Sequence, residues 1–256
     1  FSKDARFFGG DDPAAYPSFL WNGSGTRVWD VDGNEYLDWI SGLGAVVLGY
    51  RDYELRRAVG LSLPHYLEVE VAERLAAFTT IPDAMIRFTK TGSEACAAAV
   101  RLARAVTGRD VIISCGFHGS SAEFVAATPP AYGVPWDYAR STIQVLHNLT
   151  SIAERLNRLA VAAVIIEEPM EPSPSGFYAD LLEMCHKAGA LLILDEVVTG
   201  FRWPSGSVAH WHEIEPDLVC YGKALANGHA LAALVGRREH MQWFCRRDPV
   251  FISTTN

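Results

Sequence analysis

Apolar and polar positions follow two different periods along the chain. Between Thr26 and Trp39 they alternate on either side of Asp32-Gly33, with Arg27-Val28-Trp29-Asp30-Val31 leading in and Glu35-Tyr36-Leu37-Asp38-Trp39 leading out. Alternation around such a turn dipeptide predicts a β-hairpin. From Val69 onward the pattern changes to short, nearly continuous apolar runs at residues 85–88, 110–114, 161–166, 190–194, 218–221 and 231–235. Successive strand residues point to opposite faces, so an unbroken apolar run predicts a strand covered on both. Helical patterns at 94–106, 151–159 and 178–187 lie between the runs. Strands alternating with helices predict right-handed βαβ units and a mostly parallel sheet, an α/β fold. The expected organisation is an N-terminal segment, 1–66, carrying the hairpin, and a large α/β domain, 67–256. The Pro-rich stretches 128–136 and 169–174 read as loops, because proline neither donates to a ladder nor continues a helix.

Composition narrows the class. The apolar runs fall far short of the ~18 to 20 residues that cross a bilayer, so no membrane partner is expected. A net charge of −8 provides no broad basic field and argues against a dedicated nucleic-acid binder. With 49% hydrophobic residues and no low-complexity tract, the chain is expected to be globular and to bury a sizeable core, as one large domain or a domain with a small appendage. It opens Phe1-Ser2-Lys3-Asp4, without Met and without a signal-peptide pattern, which predicts that the native start lies upstream. Cys96, Cys115, Cys185, Cys220 and Cys245 are odd in number and form no C-x-x-C pair. They are expected to be reduced, packed thiols of a cytoplasmic protein, with neither a disulfide framework nor a metal site.

Three segments carry candidate chemistry. Thr91-Gly92-Ser93 follows one apolar run and opens the helical pattern at Glu94, which places free N–H groups, a hydroxyl and a positive dipole end at one point. That is an anion site; the alternative is a plain helix cap formed by Ser93 with Gly92 in the turn. Leu191-Leu192-Ile193-Leu194 runs straight into Asp195 and Glu196, at the strand end where open α/β sheets bind ligands. Asp195 either meets a ligand or caps the next turn, and Glu196, pointing the other way, is read as structural. Leu218-Val219-Cys220-Tyr221-Gly222 ends in Lys223, flanked by small residues. A lysine so placed faces a cleft, where its amine can form a Schiff base, or is a solvated surface charge. A phosphate cradle, an acid and a lysine are together what pyridoxal 5'-phosphate (PLP) requires.

At these residues the chain resembles the class III PLP-dependent aminotransferases of fold type I, and within them the group similar to glutamate-1-semialdehyde 2,1-aminomutase. The resemblance rests on Arg27-Val28-Trp29-Asp30-Val31-Asp32-Gly33, Arg87-Phe88-Thr89-Lys90-Thr91-Gly92-Ser93-Glu94-Ala95, Arg101-Leu102-Ala103-Arg104 and Phe117-His118-Gly119. It continues through Asp195-Glu196-Val197-Val198-Thr199-Gly200-Phe201-Arg202 and Gly222-Lys223-Ala224-Leu225-Ala226-Asn227-Gly228. It implies that Thr91, Gly92 and Ser93 hold the phosphate and Asp195 binds the pyridine nitrogen. It further implies that Val197 and Phe117 cover the two ring faces and Lys223 forms the Schiff base. Phe117 stands where the family often has tyrosine and loses that hydroxyl. His118 is implied at the cofactor edge, or as a hydrogen-bonded structural residue, and Arg202 either contacts a substrate carboxylate or makes a structural ion pair. Thr255, within Ser253-Thr254-Thr255, resembles the segment that reaches the partner's phosphate in a homodimer with shared sites. Two departures accompany the match: the family's C-terminal small domain is absent after Asn256, and the helix expected around 58–65 is curtailed. The implied function is amino transfer from a small-molecule amino donor to a carbonyl acceptor, with an aminomutase or a non-catalytic relic of the fold as alternatives.

Overall fold

The computed structural model describes residues 20–30, 32–39, 46–50, 66–127 and 133–245. The chain divides into two compact units, Phe1–Gly60 and Leu61–Asn256. In the first, β1 (Leu20–Ser24), β2 (Arg27–Asp30) and β3 (Glu35–Leu37) form an antiparallel sheet in that order. The expected hairpin is β2–β3, with Val28 opposite Tyr36. Asp30 fixes its turn: the carboxylate accepts hydrogen bonds from the N–H groups of Asp32 at 3.0 Å and Asn34 at 2.8 Å and from the Tyr36 hydroxyl at 2.8 Å. These donors hold the Asp30 carboxyl below its usual range, the Asn34 side chain most of all.

The second unit is built on a sheet of seven strands among the described residues. These are β4 (Ala84–Thr89), β5 (Val111–Cys115), β6 (Thr142–Gln144), β7 (Val161–Glu167), β8 (Leu191–Glu196), β9 (Leu218–Tyr221) and β10 (Ala232–Arg237). Their order is β4-β10-β9-β8-β7-β5-β6. Strands β5 to β9 are parallel, as the alternation of strands and helices predicts, whereas β10 runs antiparallel to both its neighbours. The reason is the short connection from Tyr221 to Ala232, which holds only a 3-10 turn, Lys223–Ala226. A parallel crossover needs a dozen or more residues, usually with a helix, so the chain turns back instead. Being antiparallel to β10, β4 points the same way as the parallel strands. Its residues are mostly half-buried rather than covered on both faces, because β4 is the edge of the sheet.

The helices are α1 (Tyr66–Phe78), α2 (Gly92–Thr107), α3 (Ala122–Val125), α4 (Trp136–Ser141), α5 (Leu149–Leu156), α6 (Phe177–Ala188), α7 (Val208–Trp211) and α8 (Arg238–Met241). The helix expected at 151–159 begins two residues earlier, because the Asn148 side chain accepts the Ser151 N–H and caps it there. Pro135 precedes α4, so the Pro-rich stretch ends in a helix start rather than running on as loop. Residues 128–132, 58–65 and 251–256, the last including Thr255, lie outside the described residues.

Two apolar layers sandwich the sheet. Ile165, Ile193, Cys220 and Leu234 face α2, while Ile166, Leu194, Tyr221 and Val235 face the side of α5 and α6. Ala95, Ala98, Ala99 and Ala103 line the buried stripe of α2, small enough to bring its backbone close to the strands. This parity fixes the strand ends: Asp195 continues the α2 face and Glu196 the opposite one. Cys96, Cys115, Cys185 and Cys220 are buried free thiols, and Cys245, expected to be packed, is exposed. Among the described residues no helix is long and apolar enough to cross a membrane.

Candidate active site

Because β4 points with the parallel strands, the carboxyl ends of β4, β5, β7, β8 and β9 share one edge, and the candidate residues gather there. The N-terminus of α2 is closed by a capping box. Thr91, not Ser93, is the cap: its hydroxyl accepts the Glu94 N–H at 3.2 Å, and Glu94 Oε2 accepts the N–H groups of Lys90 and Thr91, both at 2.9 Å. Among the described residues no acceptor meets the N–H of Gly92 or Ser93. These two donors, at the positive end of a 16-residue helix, form an anion seat. The Ser93 hydroxyl oxygen accepts the Ser120 N–H at 3.2 Å, which leaves its own proton to donate. Gly119 has φ +102°, and a Cβ there would lie 2.2 Å from Ser93 Oγ, so this approach demands glycine.

Val197 ties the seat to the lysine. A Cβ on Gly92 would lie 2.6 Å from Val197 Cγ1, and one on Gly222 would lie 3.2 Å from the same atom. The start of α2, the turn after β8 and the turn after β9 thus close around one half-buried valine. Lys223 follows directly, half-buried, with φ +41°. A non-glycine residue rarely holds this left-handed conformation, which costs of order 1–3 kcal/mol and persists where the surroundings over-determine it.

Asp195 forms the floor. It is 4% exposed, and its carboxylate accepts from His118 Nδ1 at 2.7 Å, Cys96 Sγ at 3.4 Å and the Val197 N–H at 3.0 Å. The last bond is the turn cap that the sequence allows, so Asp195 both caps and faces the site. A hydrogen bond with Cys220, then burial and the charge of Asp195, push the Cys96 thiol well above its ordinary range, keeping it a neutral donor. His118 is itself buried, set edge-on against Phe124 at 5.5 Å. It meets the site through its bond to Asp195. Its Nε2 is buried without a hydrogen-bond partner among the described residues. Phe117, by contrast, is 73% exposed and free to cover a planar ligand.

Glu196, on the opposite face, accepts the N–H groups of Val208 and Ala209 at 3.0 and 3.2 Å, as a structural residue should. Arg202 is exposed in the turn after β8, where its N–H donates to the Thr199 carbonyl at 3.1 Å. The structure assembles Thr91, Gly92, Ser93, Val197, Asp195, His118 and Lys223 at this edge. Cys96 and Glu167 were missed. Glu167 ends an apolar strand as Asp195 does, so the strand-end rule that finds one finds the other; Cys96, inside an alanine-rich helix, carries no local signal.

The Aminotransferase class-III family model matches residues 11–254. A glutamate-1-semialdehyde 2,1-aminomutase of Desulforamulus reducens is 35% identical over 267 residues, covering 93% of this chain and 61% of that protein. A glutamate-1-semialdehyde 2,1-aminomutase of Methanosphaera stadtmanae is 32% identical, covering 94% and 62%. The chain thus spans about three fifths of the length of these relatives. Among solved structures, the PLP internal aldimine form of the Sphingopyxis sp. MTA144 FumI protein superposes with a TM-score of 0.84 at 28% identity, covering 97% of this chain and 66% of that one.

Proposed function

Because this chain belongs to the class-III aminotransferase family, we propose that it is the cofactor-binding part of a PLP-dependent enzyme that moves an amino group between an amine donor and a carbonyl acceptor. The observation that carries this reading is the closure of Gly92 and Gly222 on Val197, which sets an anion seat and a lysine on one side of the buried carboxylate Asp195. The residues present fit PLP. Two unspent N–H groups and the Ser93 hydroxyl suit a phosphate, Asp195 suits a protonated ring nitrogen, and Val197 with Phe117 suits the two ring faces.

When bound, PLP supplies an electrophilic carbon and an electron-accepting ring. Lys223 Nζ would be the nucleophile that holds it and would serve as the base for the proton on substrate Cα. Asp195 would pair its carboxylate with the ring nitrogen, and His118 and Cys96 hold that carboxylate in place through their hydrogen bonds. Arg202 is the candidate contact for a substrate carboxylate. An aminomutase uses the same residues and differs in retaining its product between half-reactions; the aminomutase names of both sequence relatives favour keeping that reading beside aminotransfer. Intact Lys223 and Asp195 weigh against a non-catalytic relic. A cytoplasmic homodimer, with Thr255 completing the partner's phosphate site, remains part of the proposal.

Borohydride reduction of the PLP-loaded protein followed by peptide mapping tests the assignment. Label is expected on Lys223 and lost in Lys223→Ala; label on another lysine, such as Lys187, overturns it.

A further inference from the structure

Glu167 is a charged residue of this site that the roles above leave unused. It ends β7 in register with Asp195 of β8, so both side chains stand on the α2 face of the sheet. Its carboxyl, an Asp195 oxygen and a His118 nitrogen lie within 4.8 Å of one another. The stem occupies the space over Gly116, where a Cβ would come within 3.2 Å of Glu167 Cγ, so that glycine makes room for this side chain. The groups that face the carboxyl are Asp195 from β8, His118 and the Phe117 N–H from the loop after β5, and Lys223 from the turn after β9. Burial, then the charge of Asp195, raises the Glu167 carboxyl above its usual range, while His118 and Lys223 pull it back. A half-buried carboxyl between a fixed anion and a lysine is sensitive to any charge that enters beside it.

Resting on the reading of this site as a PLP seat, we propose that Glu167 is its second acidic residue, facing the bound ring beside Asp195 and setting with it the charge that the Lys223 nitrogen meets. Ionised Glu167 favours a proton at Lys223 Nζ in the loaded protein, and its loss makes that proton easier to remove. For unit charges roughly 6–12 Å apart at an effective dielectric constant near 20, the effect is on the order of one to two pH units.

The visible absorption band of PLP-loaded protein, titrated with pH, reads that proton without any turnover. Glu167→Gln, close in shape and neutral, is expected to lower the midpoint by about one unit or more, while Glu167→Asp, which keeps the charge, stays near the wild type. Glu167→Met serves as a second neutral variant if the glutamine form does not fold. Equal midpoints in wild type and a folded neutral variant overturn the proposal, as do equal shifts in the neutral and aspartate variants, which assign the change to packing. A wild-type protein with no band at all overturns the PLP reading itself, and this inference with it.

Discussion

Asp195 shows how one side chain is given its charge by its neighbours. Burial penalises an ionised carboxylate, and the His118, Cys96 and Val197 donors repay that penalty at fixed positions. Asparagine keeps the size and one acceptor but loses the charge, and its amide cannot accept from all three donors. Asp195→Asn is therefore expected to retain part of its PLP and to lose roughly 2.7–4 kcal/mol of transition-state stabilisation, a fall of about two to three orders of magnitude in kcat/KM. Steady-state kinetics at saturating PLP, with an amine donor that the wild type accepts, measures this, and near-normal turnover would remove Asp195 from the chemistry.

At the scale of elements, Glu196 joins β8 to α7. Its carboxyl, buried and accepting the first N–H groups of α7, is pushed up to about 7, chiefly by burial. The folded state thus holds the proton more tightly than the unfolded chain, whose carboxyl titrates near 4.5. The resulting stabilisation is complete below the unfolded value and is lost as pH rises through about 7. Glu196→Gln carries no such titration. Its stability relative to wild type should rise between pH 5 and pH 8 by roughly 2.5 kcal/mol, read as the difference in urea midpoints at the two pH values. A constant difference across that range would show that Glu196 is ionised throughout.

Across the whole molecule, stability and site geometry share one framework, because the sheet that buries both apolar layers also ends in the functional residues. Ile193 is fully buried at the middle of β8, two residues before Asp195 and against the α2 layer. Ile193→Ala should cost ~2–5 kcal/mol in urea unfolding through lost burial and the cavity left behind. PLP affinity should fall with it, because α2 rests on this layer and carries Gly92 and Ser93 at its start. A variant that lost stability while binding PLP as tightly as wild type, by fluorescence titration, would separate the core from the seat.

Strands β5, β7, β8 and β9, the turn at Thr91-Gly92-Ser93 that opens α2, and the placement of Asp195 and Lys223 at strand ends were all legible in the sequence, although the cap is Thr91 rather than Ser93. Each is written in local periodicity, a cap or a short motif, and side-chain alternation alone separates the faces of Asp195 and Glu196. The reversal of β10, the edge position of β4 and the packing of Gly92 and Gly222 on Val197 belonged to the tertiary structure. So did the partners of Asp195: His118 is 77 residues away along the chain and Cys96 is 99. Glu167 comes beside Asp195 only because β7 and β8 are adjacent in the sheet. Periodicity reports which face a residue takes within its own strand or helix. Which strand lies next to which is set by connection lengths and by the burial of both apolar layers at once, and that decides which charges meet.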